Sequence, residues 1–378
     1  MGLVAGIIIG LIVLVILVVV HELGHAIVAR RNGVVVEEFG IGFPPRAWRK
    51  KLKNGIVFSL NWLPLGGFVK LQGEHDSAKK KGDYRAATFW QKTKILFAGV
   101  AMNWIVAAAI LSIVAVFGMP KIIQGQFSVP ADSVAVSQPV EIGNLTADYP
   151  AEQAGMQTGD KIISVAGNDI DSVEEFISVT QSHRGEPVEL IYERDDARHN
   201  KTVQLRDDDG AVFGASLGQR QATKSTWSAP IVGVVTTAQF TWVTLQGLGQ
   251  LLGDLASGLV MQLSPDQATR EQAGANLERV SASVAGPVGI LGVIFPAAGE
   301  AGFLQVLFLA GIISLTLAVM NILPIPALDG GRWFVTAVFK LLKKPLTKEK
   351  EERIQGTGFL VLIALIILVT IGDVAKLF

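Results

Sequence analysis

The chain alternates between long uncharged stretches and segments rich in charged residues. A bilayer crossing needs about 20 mostly apolar residues, and four stretches are long enough: 1–20, 95–119, 301–328 and 354–372. Between the second and third of them, residues 140–218 show short alternating strands and one amphipathic helix. The pattern predicts a polytopic α-helical membrane protein with about four transmembrane helices and a soluble α+β insert.

Two further segments fit neither description. Residues 54–73 carry β-branched and aromatic side chains between the turn signals Asn54-Gly55 and Gly66-Gly67, which predicts short strands. They form either a cytoplasmic hairpin or a loop that re-enters the membrane, where non-helical backbone is tolerated only if protein surrounds it. Residues 226–262 have helical apolar spacing with few charges, and we expect them to lie against the membrane surface.

Composition narrows the chemistry that the chain can support. Half of the 378 residues are hydrophobic, and Lys+Arg and Asp+Glu balance at 33 each, so net charge does not indicate a nucleic-acid partner. The local basic run at 46–53 is expected to contact anionic lipid instead. The chain has no cysteine, which excludes disulfides and thiolate metal sites. Any metal must therefore be bound by His, Asp or Glu.

Charge is distributed unevenly among the segments between the spans. Residues 30–94 hold fourteen Lys/Arg against five acidic residues, and 340–353 hold six against three, whereas 119–300 hold eleven against twenty-two. Basic loops stay in the cytoplasm, so we expect 119–300 and both termini on the opposite side. The first span lacks a basic leader and runs directly into the HELGH sequence, so we expect it to be retained and not cleaved as a signal peptide.

The first span ends in His21-Glu22-Leu23-Gly24-His25, an unusual place for ionisable side chains because charge within a membrane is costly. Helix positions i and i+4 share a face, so the two imidazoles can bind one Zn²⁺ while Glu22 acts as general base toward a water that the metal activates. The alternative is that both histidines only satisfy backbone carbonyls. It is the weaker alternative because five histidines in 378 residues rarely fall into this pattern by chance.

A catalytic zinc site needs a third protein ligand. Asp329 ends the third apolar run. Pro324 and Pro326 are expected to break the helix before it, and the glycines at 330 and 331 permit a close backbone approach. By the charge rule Asp329 lies on the same side of the membrane as His21. It is either the third ligand or simply the polar end of a helix. The remaining histidines lie in polar segments and are expected on the surface: His75, His183 and His199.

These motifs together resemble those of a known family. HELGHAIVAR, FGIGFPPRAW, LPLGGFVKLQGE, AGVAMNW, AGPVGI and NILPIPALDGG occur in the order typical of the site-2 proteases, which are intramembrane zinc metalloproteases. The resemblance covers nearly the whole chain, and YPAEQAGMQTGDKIISVAGNDI resembles a PDZ domain. Two features depart from the family pattern: there is one PDZ domain where the enterobacterial sigma-E pathway protease has two, and the second span lacks a proline after Gly99.

The resemblance implies specific residue roles. It implies that His21, His25 and Asp329 ligate Zn²⁺ and that Glu22 activates water. It also implies that residues 54–73 form a membrane re-entrant β element. The residues assigned to substrate binding are Asn321, Gly66, Gly67 and Phe68.

The resemblance further implies substrates and a location. Family members cut transmembrane segments of single-pass proteins, namely anti-sigma factors and remnant signal peptides. We therefore expect a multi-pass protein of the bacterial inner membrane with an extracytoplasmic PDZ domain and no nucleic-acid partner. The expected domains are an N-terminal membrane core at 1–118, the PDZ domain at 130–220, a membrane-associated helix and linker at 221–300, and a C-terminal membrane core at 301–378.

Two other functions stay open at this point. The chain could be a non-catalytic membrane scaffold whose PDZ domain is the working part, and a broken set of metal ligands would indicate this. It could also be a membrane-anchored zincin that cuts soluble loops, and a third ligand in a polar domain would indicate that.

Overall fold

The computed structural model describes residues 2–74, 80–195, 197–207, 210–219, 221–262 and 264–375. The chain divides into two compact units, one formed by Met1–Val114 together with Gly233–Phe378 and the other by Ala115–Val232. His75, which the sequence places on the surface, lies outside the described residues.

Helices make up most of the first unit, whereas the second unit has more residues in strands than in helices. The helices are α1 (Leu3–Arg31), α2 (Phe89–Phe117), α3 (Pro150–Gln153), α4 (Val173–Ser182), α5 (Ala229–Met261), α6 (Gln267–Ser283), α7 (Pro287–Gly289), α8 (Phe295–Glu300), α9 (Phe303–Ile322), α10 (Asp329–Leu341) and α11 (Lys348–Ala375). A 3₁₀ turn covers Tyr84–Ala86, and a π-helical turn at Ile290–Ile294 joins α7 to α8.

The strands fall into three sheets. They are β1 (Val36–Lys51), β2 (Val57–Leu71), β3 (Met119–Pro120), β4 (Val134–Ser137), β5 (Val140–Leu145), β6 (Lys161–Val165), β7 (Asn168–Asp169), β8 (Pro187–Arg194), β9 (Ala197–Gln204), β10 (Ala215–Gly218) and β11 (Gln221–Lys224).

Five helices within the described residues are long and apolar enough to cross a membrane: α1, α2, α5, α9 and α11. Four of them overlap the spans expected from the apolar pattern. The fifth, α5, is the segment expected on the membrane surface, and it is the least apolar of the five. The chain is thus a polytopic α-helical membrane protein.

The apolar run at 301–328 is not one continuous helix. Helix α9 ends at Ile322, and α10 begins at Asp329. Pro324 and Pro326 lie between them, and proline interrupts a helix because it has no backbone N–H and its ring clashes with the preceding turn. The break places Asp329 in the first turn of a new helix.

Strands β1 and β2 form a curled sheet in the first unit. Phe39 of β1 pairs with Val69 near the end of β2 and also with Phe58 near its start, so the first half of β1 lies between two arms of β2. Several large apolar side chains of this sheet stay exposed, and Trp62 is 71% accessible. An apolar surface of this kind is typical of contact with a membrane or a partner protein.

The second unit is a mixed α+β structure. Its larger sheet has the order β10-β5-β6-β8-β9, with β7 paired to β6, and a smaller sheet has the order β3-β11-β4. Helix α4 begins at the N-cap residue Ser172, whose side chain accepts a hydrogen bond from the backbone N–H of Glu175. Phe176 of α4 is buried against the larger sheet with Ile162 and Leu190. The Arg194 guanidinium donates two hydrogen bonds to the buried Asp160 carboxylate at 2.6 Å, and this pairing raises the pKa of Arg194.

Candidate active site

Helix α1 carries two histidines on one buried face. His21 and His25 are 8% and 9% accessible, respectively. The His25 Nδ1 atom donates a hydrogen bond to the carbonyl oxygen of Ile95 on α2 at 2.7 Å. A carbonyl can only accept, so Nδ1 carries the proton and Nε2 is left free to bind a metal.

Asp329 reaches the same place from a distant part of the chain. It lies in the first turn of α10, where the helix dipole favours a negative side chain. The turn before it is tight, because a Cβ on Gly330 would overlap the carbonyl oxygen of Ile322, and one on Gly331 would overlap that of Ile325. The two glycines are therefore required for the loop to bring the carboxylate back toward α1.

Three donor atoms converge at this point. The Nε2 atoms of His21 and His25 lie 3.1 Å apart, and Asp329 Oδ2 lies 3.0 Å from the first and 3.2 Å from the second. Ligands around a tetrahedral zinc ion with bonds of about 2.0–2.1 Å stand about 3.3 Å from one another. Two imidazole nitrogens and one carboxylate oxygen are also ligand types that zinc prefers. The donor set therefore fits Zn²⁺.

Gly99 on α2 provides the space beside these donors. A Cβ on Gly99 would lie 2.5 Å from His25 Nε2 and 2.7 Å from His21 Nε2, which are the two atoms that face the common point. No side chain larger than hydrogen fits there without moving a donor. The glycine thus forms one wall of a cradle for an ion.

A cavity of about 180 Å³ opens beside the donors. Its lining includes Glu22 and His25 from α1, Phe68 and Val69 from β2, and Asp329. Gly67 of β2 lies against Glu22, since a Cβ on this glycine would be 3.6 Å from Glu22 Cγ. The only acidic side chain within the HELGH sequence thus faces the same cavity as two of the three donors.

Polar groups extend from this cavity toward α11. Arg332, one turn after Asp329, makes ion pairs with Glu74 and with Glu351, and the second of these is 3.1 Å long. Tyr84 also lines the cavity, and its ring lies 4.8 Å from the Arg332 guanidinium. Burial raises the pKa of Tyr84 to about 12, so its hydroxyl stays a neutral hydrogen-bond donor at neutral pH.

The structure brings five residues with an expected role together. His21, His25 and Asp329 supply the three converging donor atoms, and Glu22 and Phe68 line the adjacent cavity. Asn321 and Gly66, which also have an expected role, are not among the described residues that line this cavity or supply a donor. The Asn321 side chain donates a hydrogen bond to the Leu317 carbonyl of its own helix at 3.0 Å, and Gly66, at φ +120°, packs against the Phe43 ring.

The remaining described histidines lie in the second unit. His183 forms the C-cap of α4, and His199 is exposed on β9.

Several residues of the site were not assigned a role from the sequence. Gly99, Asn103, Tyr84 and Arg332 each contact or line the site, yet none belongs to a metal-binding pattern. For Asn103 a signal does exist, because it is the only amide side chain in the apolar run at 95–119. A polar group within a membrane span is costly and points to a partner.

Comparison with known proteins places this site in a family. The model of peptidase family M50 matches residues 9–365, which include all four residues of the HELGH–Asp329 set. A Clostridium perfringens protein named as a zinc metalloprotease is 31% identical over 97% of this chain and 98% of its own length. The zinc metalloprotease RasP of Geobacillus kaustophilus is 26% identical, and the regulator of sigma-W protease RasP of Bacillus subtilis is 25% identical, each over 96% of both chains.

Among solved structures, the PDZ domain of an SdrC-like protein from Listeria monocytogenes is 25% identical and covers 24% of this chain and 93% of its own, with a TM-score of 0.19.

Fold, site and relatives agree on one class of protein, a zinc metalloprotease with membrane-spanning helices. The chain belongs to peptidase family M50. The resemblance to the site-2 proteases and the expectation of Zn²⁺ as cofactor are thereby confirmed.

The Gly99 cradle leads to a first prediction. Gly99→Ala places a methyl group against both Nε2 atoms, so purified protein should contain much less than one zinc per chain, measured by plasma emission spectrometry. Gly247→Ala is the matched control, because a Cβ there meets nothing within 4 Å and alanine favours a helix by about 1 kcal/mol. Full zinc content in Gly99→Ala would show that this contact does not shape the metal site.

Proposed function

We propose that this protease hydrolyses peptide bonds within the transmembrane segments of single-pass membrane proteins. The proposal rests on one observation, which is that the site lies on a helix long and apolar enough to cross a membrane. His21, Glu22 and His25 lie on α1, a helix apolar enough to cross the membrane, and not in the polar second unit. This favours an intramembrane substrate over the soluble loops that a membrane-anchored zincin would cut. A non-catalytic scaffold is disfavoured because the set of three donors is intact and the family is one of peptidases.

In this proposal His21, His25 and Asp329 hold Zn²⁺, and Glu22 is the general base. The metal supplies Lewis acidity toward a water molecule and the scissile carbonyl. Glu22 removes a proton from the attacking water and delivers it to the nitrogen of the leaving amine. Its position on the wall of the cavity, half-buried beside His25, is suited to both transfers.

A transmembrane helix hides its amides in i→i−4 hydrogen bonds, so the substrate must unwind before attack. We assign the receiving surface to Gly66, Gly67 and Phe68 of β2. Residues Gly67–Leu71 pair with β1 along one edge, no described strand pairs with the other edge, and Gly67 lies beside Glu22. An unwound substrate can add to such an edge as a strand. The amide of Asn321 is proposed to bind a freed backbone group.

The name of the Bacillus subtilis relative refers to regulation of a sigma factor. On that basis we propose substrates of the anti-sigma factor type, and the family resemblance adds remnant signal peptides. The proposed location is the bacterial inner membrane, with residues 30–94 and 340–353 in the cytoplasm and a PDZ domain at 130–220 outside it. The sheet at 54–73 is proposed to re-enter the bilayer, which its exposed Trp62 supports.

The PDZ domain either captures a peptide or limits access to the site as a steric shield. A groove of about 380 Å³ between α4 and the segment Ala211–Leu217 supports peptide capture. Strand β10 lies at the edge of the larger sheet, and no described strand pairs with its outer side, so a further strand can add there.

Glu22→Gln tests the catalytic assignment. The variant keeps size and hydrogen bonding but removes the base, so zinc content should stay at the parental level. Cleavage of a single-pass reporter with a leucine–alanine transmembrane segment should fall by about 10²–10⁴-fold. A reporter with glycine near the cut should be cleaved faster by the parent enzyme, because its helix unwinds at lower cost, but it should not rescue the variant.

Glu37→Gln is the matched control, since Glu37 pairs with the exposed Lys70 at 2.9 Å and is not among the described residues that line the cavity. Cleavage at the parental rate by zinc-loaded Glu22→Gln would remove Glu22 from the chemical step.

The orientation can be tested because the chain has no cysteine. A cysteine introduced at the exposed position Lys81 should be shielded from a membrane-impermeant thiol reagent in intact cells, and one at Ser182 should be labelled. Cell lysis should expose the first position, and the cysteine-free parent should stay unlabelled throughout. The reverse pattern would overturn the proposed topology.

A further inference from the structure

The two histidines of the site differ in the hydrogen-bond partner of Nδ1, the ring nitrogen that does not face the donor cluster. A histidine that offers Nε2 to a metal carries a proton on Nδ1, and that proton normally has an acceptor. For His25 the acceptor is the Ile95 carbonyl oxygen at 2.7 Å. The Nδ1 atom of His21 instead lies 3.4 Å from the side-chain amide of Asn103, about two helical turns further along α2.

The Asn103 amide is fully buried and incompletely bonded. Asn103 is 0% accessible, and its Oδ1 atom has no hydrogen-bond partner among the described residues. As placed, the amide turns Nδ2 toward His21 Nδ1. When His21 Nε2 binds a metal, Nδ1 carries the proton, and two donors then face each other. A rotation of 180° about the terminal torsion exchanges the amide oxygen and nitrogen within the same volume. Oδ1 then accepts the Nδ1 proton, and the orphaned oxygen acquires a donor.

The backbone of Asn103 is itself held from a third helix. Ser314 on α9 is 0% accessible, and its hydroxyl donates a hydrogen bond to the Asn103 carbonyl oxygen at 2.9 Å. This contact fixes α2 to α9 at the level of His21. Asn103 therefore stands between two elements that supply metal donors, α1 directly and α9 through the loop to Asp329.

We propose that Asn103 is the positioning residue of His21: its side-chain oxygen accepts the Nδ1 proton, keeps Nε2 unprotonated and directs the ring toward the ion. The inference rests on the proposed role of His21 as a ligand. Without the acceptor, the imidazole loses its fixed tautomer and its ring orientation. Removal of such a supporting group lowers metal affinity by about 10–100-fold in known sites.

The experiment measures zinc affinity of the full-length protein in detergent by competition with a chelator. Asn103→Leu keeps the volume but has no acceptor, and its affinity should fall by about 10–100-fold. Asn103→Asp restores an acceptor oxygen and should bind within a few-fold of the parent. Ser112→Ala is the matched control, because Ser112 lies on the same helix and its hydroxyl donates to the Ala108 carbonyl of its own turn, with no metal donor as partner among the described residues. It should bind zinc as the parent does.

A double-mutant cycle separates this inference from the assignment of the ligands. His21→Ala alone should lose most zinc, and a failure to do so would reject His21 as a ligand and not merely Asn103 as its support. On the His21→Ala background, Asn103→Leu should have no further effect, since its route to the metal is already removed. An equal additional loss on that background would show a general packing defect and overturn the proposal.

A spectroscopic readout covers the case in which Asn103→Leu does not fold. In zinc-loaded protein with ¹⁵N-labelled histidine, the His21 ring should show a protonated, hydrogen-bonded Nδ1 in the parent and in Asn103→Asp. An unprotonated His21 Nδ1 in the loaded parent would overturn the proposal without any variant. So would an affinity of Asn103→Asp as low as that expected for Asn103→Leu.

Discussion

The close approach of α1 and α2 is the contact on which the rest of the site depends. A Cβ on Gly24 of α1 would lie 2.5 Å from the Ala98 carbonyl oxygen, and one on Gly99 of α2 would reach the two imidazoles. Small residues allow membrane helices to pack backbone to backbone where no hydrophobic force favours association. At this distance α2 supplies an acceptor to the His25 ring and places the Asn103 amide beside the His21 ring, and a wider spacing would remove both contacts.

Helix α1 is held in the same manner at its other end. A Cβ on Gly6 would meet Pro296 at 2.6 Å, and one on Gly10 would meet the Phe295 ring at 2.6 Å. The segment that carries these two residues is anchored in turn by Asp373 of α11, which is 6% accessible and accepts a hydrogen bond from the Gly289 amide at 2.8 Å. The donor positions on α1 are thus set by glycine contacts near both ends of the helix and not by an apolar stripe.

The loop from α9 to α10 positions the third metal ligand, Asp329, which α1 and α2 alone could not provide. An HExxH pair gives two ligands from one face, and the third ligand must come from a separate segment. Two prolines end α9, two glycines allow the chain to fold onto itself, and Arg332 ties α10 to Glu74 and Glu351. The ion pairs lie beside the cavity, so they hold Asp329 in place without occupying the donor point.

The sequence alone determined the features that depend on local pattern. Four spans follow from apolar length, the face shared by His21 and His25 follows from the helical repeat, and the break before Asp329 follows from Pro324 and Pro326. The fifth apolar helix, α5, was expected on the membrane surface, because length and composition cannot separate a weakly apolar span from a surface helix.

Only the tertiary structure decided the contacts between segments. Gly99 and Asn103 have no distinctive spacing relative to the histidines, since they lie on another helix at a sequence separation that no periodicity encodes. The double pairing of β1 with both arms of β2, and the resulting position of Gly67 beside Glu22, likewise depend on how the sheet curls against α1. Local residue types fix helices, turns and candidate ligands, whereas the approach of helices and the register of a curled sheet are fixed by packing over the whole unit.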